Sequence, residues 1–314
     1  MISTKKKSVL VLGGCGFIGQ NLILRLIKED IDVYVYDKEL CERLRKYARV
    51  GKVNFIKGDF LAEGNFKRLV TRIDYIVHLI HTTIPCTSDS DYIYDLESNL
   101  IPSIKLFSSS VNSKVKRIIF ISSGGTVYGN SISKVPISED SPCNPICSYG
   151  IVKLTIENYL KKITSGSDTR YTILRPSNPY GINYYKTIPL GLINVSLLKL
   201  LNNDVLEIWG NGESIRDYIY VEDLIDAIFR SLFPADSNYI LNIGTGTGMT
   251  ILEIVGIIQK VTSKKLKTRF QKNRKFDVNY NVLDINRSAK ILDWKPKIEV
   301  EQGISITWNW LCNL

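Results

Sequence analysis

Two residues one helical turn apart could move a proton. In Ser148-Tyr149-Gly150-Ile151-Val152-Lys153 a phenol and an ammonium stand at i and i+4, a spacing that puts both on one face of a helix. A phenol, with a reference pKa of about 10, is a poor base at neutral pH. An ammonium about 4–5 Å away, at an effective dielectric of about 20, favours the phenolate by about 3–4 kcal/mol before desolvation is charged. Tyr149 is then expected to take a proton from a hydroxyl as hydride leaves the same carbon, with Lys153 lowering its pKa. Alone, Tyr-x-x-x-Lys is a common surface pair. Here it follows the hydroxyl-rich run Ser122-Ser123-Gly124-Gly125-Thr126-Val127-Tyr128-Gly129, at the carboxyl end of an expected strand, where ligand sites of parallel sheets lie.

A second motif, Gly13-Gly14-Cys15-Gly16-Phe17-Ile18-Gly19, lies between an apolar strand and a helical stretch. Glycines at this spacing allow a tight turn and let the backbone approach a pyrophosphate at the helix N-terminus, where free amides and the helix dipole favour anions. The plain alternative is a glycine turn in a parallel sheet. An acidic residue in the expected place, Asp37 at the end of the second strand, argues for a dinucleotide, because a carboxylate there accepts both ribose hydroxyls. It would repel a 2′-phosphate, so NAD is expected rather than NADP.

Positioning these groups requires strands alternating with helices. Strands are expected at Ser8-Val9-Leu10-Val11-Leu12, Asp32-Val33-Tyr34-Val35-Tyr36-Asp37, Val53-Asn54-Phe55-Ile56, Tyr75-Ile76-Val77-His78-Leu79, Arg117-Ile118-Ile119-Phe120-Ile121 and Tyr171-Thr172-Ile173-Leu174-Arg175. Helices are expected over 19–29 and 94–111, among others. That rhythm predicts an α/β fold, a Rossmann-type doubly wound parallel sheet with helices on both faces, over residues 1–175. Segments at about 217–245 are expected to return to it. Residues 176–314 are expected to form mainly a smaller mixed α/β C-terminal lobe for the substrate, with a helix over 193–201, strands at 206–208 and 239–243, and a capping box at Thr250-Ile251-Leu252-Glu253.

Composition bounds the function. The 314 residues are 44% hydrophobic and 23% charged, ordinary for a folded domain pair. No apolar run approaches the roughly 18–20 residues of a membrane-spanning helix, so no membrane is expected. The net charge of +10 is scattered, and its densest run, Lys264-Lys265-Leu266-Lys267-Thr268-Arg269 followed by Lys272, Arg274 and Lys275, reads as a solvated face. Nucleic acid is therefore not expected, and small anions are. Six cysteines without a C-x-x-C pair and only two histidines, His78 and His81, argue against a metal site and for a reducing, cytoplasmic location.

These residues together resemble an extended short-chain dehydrogenase/reductase, close to the UDP-galactose 4-epimerase and nucleotide-sugar dehydratase group, over essentially the whole chain. The resemblance implies that Gly13, Gly16, Phe17, Ile18, Gly19 and Asp37 hold NAD, with Asp59 and Phe60 of Gly58-Asp59-Phe60, Leu79, Asn99, Tyr149 and Lys153. Asn99 matches an asparagine that positions loops of the active site. Asn178 in Arg175-Pro176-Ser177-Asn178, Arg216 in Arg216-Asp217-Tyr218, and Arg274 would bind a nucleotide-diphosphate sugar. For Arg274 the plain reading, one more charge in a basic run, stays open. Relatives of this kind dimerise through helices at 94–111 and 145–163, so a homodimer is expected. Three departures stand out: Gly124 where a hydroxyl is common, so that Ser123, with Thr126 behind it, is expected to orient the sugar hydroxyl; Ile80-His81 where two small residues are common; and no lysine in Thr82-Thr83-Ile84-Pro85. The leading expectation is a 4-epimerase working through a transient 4-keto sugar in surface-polysaccharide precursor synthesis. The alternatives are an NAD(P)H-dependent 4-keto-6-deoxyhexose reductase with Tyr149 as acid, and a non-catalytic NAD-binding regulator. A 4,6-dehydratase would want an Asp-Glu pair where Gly125-Thr126 stand.

Overall fold

The computed structural model describes residues 6–130, 134–182, 191–274 and 277–313. Lys275 of the basic run and residues 183–190 lie outside them. The chain divides into two units of three segments each. Met1–Ser123, Cys147–Leu174 and Ile228–Ile240 make the first; Gly124–Ile146, Arg175–Ala227 and Leu241–Leu314 make the second.

The first unit opens with β1 (Lys7–Leu12), α1 (Phe17–Leu26), β2 (Ile31–Asp37), α2 (Glu42–Arg49), β3 (Asn54–Lys57), α3 (Phe66–Val70) and β4 (Tyr75–His78). After them come α4 (Tyr92–Asp95), a π-helical turn at Leu96–Leu100, α5 (Ile101–Val111), β5 (Arg117–Ile121), α6 (Ser148–Thr164) and β6 (Arg170–Pro176). The sheet runs β3-β2-β1-β4-β5-β6 and ends on a seventh strand, Tyr239–Ile243. β1 pairs in parallel with both β2 and β4, in register Val9↔Val33 and Leu12↔His78. This is the doubly wound parallel order, and its reversal beside β1 opens a crevice at the strands' carboxyl ends. Apolar runs such as Val9-Leu10-Val11-Leu12, all 0% exposed, form these strands because helices cover both sheet faces and leave no side for polar alternation.

The single helix expected over 94–111 is instead α4, the π turn and α5. The wider turn buries three consecutive residues, Ser98, Asn99 and Leu100, which an α-helical period would not do. Segment 228–240 closes the first unit through Arg117. That buried guanidinium donates to the Ala235 carbonyl at 3.0 Å and the Ser237 carbonyl at 2.9 Å, and to Thr172 Oγ1 at 3.0 Å.

After β6 come β7 (Asn178–Tyr180), α7 (Leu192–Leu201), β8 (Leu206–Trp209), β9 (Ile215–Tyr220), α8 (Val221–Arg230) and β10 (Tyr239–Ile243), the seventh strand of the sheet above. β11 (Gly248–Thr250), α9 (Ile251–Thr262), β12 (Thr268–Gln271), β13 (Tyr280–Asn281), α10 (Asn286–Leu292) and α11 (Val300–Cys312) follow. β9 lies between β11 and β13 and also pairs with β7, while β8 pairs with β12. The capping box forms as expected: the Glu253 amide donates to Thr250 Oγ1 at 3.1 Å and the Thr250 amide to Glu253 Oε2 at 2.7 Å. No described helix is long and apolar enough to cross a membrane. Among the described residues no group of three or more His, Cys, Asp or Glu is placed to hold a metal ion.

Candidate active site

The glycine loop joins β1 to α1 at the sheet's reversal point. Gly13 has φ +80°, and a Cβ on Gly19 would stand 2.4 Å from the Gly13 carbonyl; the turn closes only because neither carries a side chain. Gly16 caps α1, which has no acidic residue in its first turn, so its free amides face an anion without competition. Asp37 Oδ2 accepts from the Cys15 amide at 2.9 Å and Oδ1 from the Lys38 amide at 2.8 Å. Burial raises the Asp37 pKa, and these two bonds pull it back down. The carboxylate is fixed beside the loop with lone pairs left for ribose hydroxyls. A helix start without side chains and an oriented carboxylate fit a dinucleotide, and they fit NAD better than NADP.

The other residues expected at the cofactor divide by role. Phe17 and Ile18, half-buried, open α1. Asp59 is paired with Lys38 at 3.0 Å. The Phe60 side chain is buried against Phe66 and His78, so it builds core rather than a ligand surface. The Leu79 amide donates to the Leu12 carbonyl at 3.0 Å, holding the ends of β4 and β1 together. Asn99 is buried; its Oδ1 accepts from the Thr82 amide at 2.8 Å, and its Nδ2 reaches Thr82 Oγ1 and Asp95. It therefore pins the loop after β4.

Tyr149 and Lys153 occupy the first turns of α6, one turn apart as the spacing required. Lys153, 2% exposed, donates to the Ile121 carbonyl at 2.7 Å and so ties α6 to the end of β5, where Ser123 follows. Its ammonium lies 5.6 Å from the Tyr149 ring centroid. Burial lowers the Lys153 pKa to about 7, and burial, then the charges of Cys147 and Asp95, raise the Tyr149 pKa. In the protein alone, burial thus works against the phenolate that the lysine is expected to favour.

In the second unit, Thr126 Oγ1 is shielded from water and has no hydrogen-bond partner, a hydroxyl left over for a ligand. Gly124 has no hydroxyl for a packing reason. A Cβ there would meet Leu283 Cδ1 at 2.6 Å, the Arg175 carbonyl at 2.9 Å and the Pro176 carbonyl at 3.0 Å. Asn178 pairs with Tyr218 across β7 and β9, and its Nδ2 donates to the Asp217 carbonyl at 2.9 Å. Arg216, on the same strand β9, has a pKa lowered by burial and lies in the fields of Asp277 and Arg274. The Arg274 fork closes on Asp277 at 2.9 and 3.0 Å and lies over the Trp209 ring. Asn178 and the two guanidinium groups thus gather in one small β region, with Arg274 already paired. Asp217 of the Arg-Asp-Tyr segment is wholly buried and accepts from the Thr245, Gly246 and Leu283 amides, a structural clasp that the motif alone did not disclose.

Two residues near Tyr149 lay outside the expected site. The His81 ring stands edge-on to the Tyr149 ring, centroids 4.4 Å apart, and is nearly enclosed. Burial and the Lys153 charge hold its pKa well below the usual value, so it is neutral. Asp95, 0% exposed, sits beside it with Oδ1 3.6 Å from His81 Nε2. The only sequence signal was the bulk of Ile80-His81 at the end of β4.

The model of the NAD dependent epimerase/dehydratase family matches residues 9–244. An Escherichia coli dTDP-4-dehydro-6-deoxyglucose reductase is 32% identical over 309 residues, covering 96% of this chain and 97% of that protein. A putative UDP-glucose 4-epimerase of Methanocaldococcus jannaschii is 31% identical, covering 97% and 98%. The crystal structure of the Thermotoga maritima UDP-glucose 4-epimerase with UDP-glucose superposes with a TM-score of 0.91 at 29% identity, covering 98% of this chain and 99% of that one.

Proposed function

The chain belongs to the NAD-dependent epimerase/dehydratase family, and from that premise we propose that it is a 4-epimerase of UDP-hexoses. The observation that carries this reading is the Tyr149–Lys153 pair on α6, anchored to the end of β5 beside Ser123. Bound NAD supplies a hydride acceptor and donor. Gly13, Gly16 and Gly19 admit its diphosphate, and Asp37 takes the adenosine ribose. Asn178, Arg216 and Arg274 take the substrate's diphosphate, Arg274 by exchanging Asp277 for phosphate oxygens. Ser123 and Thr126 orient the C4 hydroxyl, and Tyr149 removes its proton as hydride leaves C4. Tyr149 would ionise more readily beside a bound oxidised cofactor, whose positive charge offsets the cost of burial. The 4-keto sugar turns over, hydride returns to the other face of C4 as Tyr149 returns the proton, and net redox is zero.

A second reading is reduction of a dTDP- or GDP-4-keto-6-deoxyhexose with NAD(P)H, in which Tyr149 would act as an acid. The E. coli relative supports it. The deciding experiment denatures freshly purified protein, measures released NAD, and assays UDP-hexose turnover without added cofactor. Stoichiometric NAD with turnover supports the epimerase. Empty protein that oxidises NADH or NADPH only with a 4-keto-deoxyhexose nucleotide replaces it with the reductase. If the protein holds NAD and shows neither activity, the chain is a non-catalytic NAD binder.

We place the enzyme in the cytoplasm, in synthesis of surface-polysaccharide precursors, as a homodimer. Exposed Tyr92, Ile93, Ile101, Ile151 and Tyr159 on α4, α5 and α6 supply the apolar surface a dimer would cover. Light scattering on the eluting protein tests this, and a mass of 35.6 kDa would refute it.

A further inference from the structure

Asp95 is a fully buried carboxylate with no cation within bonding distance among the described residues, a costly group to retain. It is held by neutral donors from three directions: Thr83 Oγ1 at 2.6 Å from the loop after β4, Asn99 Nδ2 at 3.0 Å from the π turn, and Ser148 Oγ at 2.7 Å from α6. Ser148 immediately precedes Tyr149, and its amide is held in turn by Asp89 at 2.8 Å. The fourth neighbour is His81, whose ring fills the space between the Asp95 carboxylate and the Tyr149 ring. Both His81 nitrogens are enclosed without a hydrogen bond. The imidazole therefore touches Tyr149 as a wedge and meets the carboxylate at slightly more than bonding distance.

We propose that Asp95 is the positioning residue of this site: through Ser148 and His81 it sets where the Tyr149 phenol stands and which protonation state it holds. Placement comes from the Ser148 bond on one side and the His81 ring on the other. To the burial that dominates the phenol's protonation state, Asp95 adds a nearby carboxyl group that works in the same direction. The other ionisable groups facing Tyr149 are His81, neutral, from the loop after β4, and Cys147 and Lys153 from α6, with Glu157 and Asp89 acting at one remove. Asp95 is the member of that set whose carboxyl a near-isosteric change, to asparagine, removes.

The inference rests on the proposed role of Tyr149, so its test has two arms. In the first, Asp95→Asn, His81→Ala and His81→Phe are assayed on whichever nucleotide sugar the wild type turns over. Asp95→Asn should lower kcat about 10- to 100-fold with KM and bound NAD unchanged, as expected when a reacting group is misplaced by a fraction of an ångström. The kcat limb belonging to Tyr149 should move about one unit to lower pH, because a like charge has been removed. His81→Ala should lower kcat similarly, and His81→Phe, which restores a ring against Tyr149, should recover it to within about threefold. Wild-type kcat and pH profile in Asp95→Asn, or no recovery in His81→Phe, overturns the proposal. If Asp95→Asn does not fold, the two His81 variants decide.

The second arm needs no turnover. In protein with ring-labelled tyrosine, the Tyr149 resonance, identified by its loss in Tyr149→Phe, should shift and broaden in His81→Ala and return towards its wild-type position in His81→Phe. An unmoved resonance in His81→Ala overturns the proposal even if the wild type turns over no sugar, and that second result would count only against the epimerase reading.

Discussion

Replacing Lys153 with methionine tests the electrostatics of this site through stability. Lys153 is 2% exposed, and burial lowers its pKa from 10.5 to about 7 against smaller opposing effects of Glu157 and Asp95. In the unfolded chain the same ammonium titrates near its ordinary value, about 10.4. Between those two pKa values the unfolded state binds more protons than the native state, so the penalty for burying this lysine shrinks as pH rises. Below both values the penalty is complete, about 5 kcal/mol for the full shift, and each pH unit within the window removes at most about 1.4 kcal/mol of it. Methionine fills similar volume and cannot ionise, while losing the bond to the Ile121 carbonyl, about 1 kcal/mol. NAD-free wild type and Lys153→Met should be unfolded in guanidinium chloride at constant ionic strength, at several values from pH 7 to pH 9. The variant should be the more stable near pH 7, and its advantage should fall by about 2 kcal/mol by pH 9. An advantage that is absent, flat in pH, or growing with pH would refute the reasoning, because it would mean that the ammonium is not desolvated in the folded chain.

Three other changes follow from the same geometry. Tyr149→Phe should lower kcat by about a hundredfold to ten-thousandfold and leave NAD content after purification unchanged; retained turnover would remove Tyr149 from the chemistry. Gly19→Ala should yield protein without NAD, since its Cβ would stand 2.4 Å from the Gly13 carbonyl, as read from absorbance of the denatured supernatant. Gly124→Ser should lower unfolding free energy by about 1–3 kcal/mol, because Leu283 and two carbonyls occupy the space. An unchanged denaturation midpoint would show that the segment relaxes to admit a hydroxyl.

The parts of the site legible in the sequence were those written by local spacing. A turn of glycines, a carboxylate at a strand end and a phenol four residues before a lysine each hold their meaning within a short window. The sheet was legible for the same reason, since buried parallel strands are nearly continuous apolar runs. What escaped depends on partners far along the chain. Gly124 looked like a missing hydroxyl and is a packing requirement set by Leu283, Arg175 and Pro176. Asp95 went unremarked in the sequence and is a buried hub, because its partners Thr83, His81 and Ser148 come from the loop after β4 and from α6, far from it along the chain or outside its helix. The burial that opposes a Tyr149 phenolate was not legible, because helical spacing reports which groups are near and says nothing of how much water each has lost.

The Arg117 clasp also bears on how the protein is made. Its acceptors at Ala235 and Ser237 lie 118 and 120 residues further along the chain. A nascent chain that has emerged only as far as β6 holds six strands of the sheet and a guanidinium that has Tyr171 and Thr172 as acceptors while two of its carbonyl partners are still to be translated. The first unit is therefore completed late in synthesis, after about half of the second has left the ribosome. A gene cut after codon 175 would encode an unfinished sheet whose Arg117 lacks two of its acceptors, not half an enzyme. Recombination between relatives can exchange these units only by exchanging three stretches of each together.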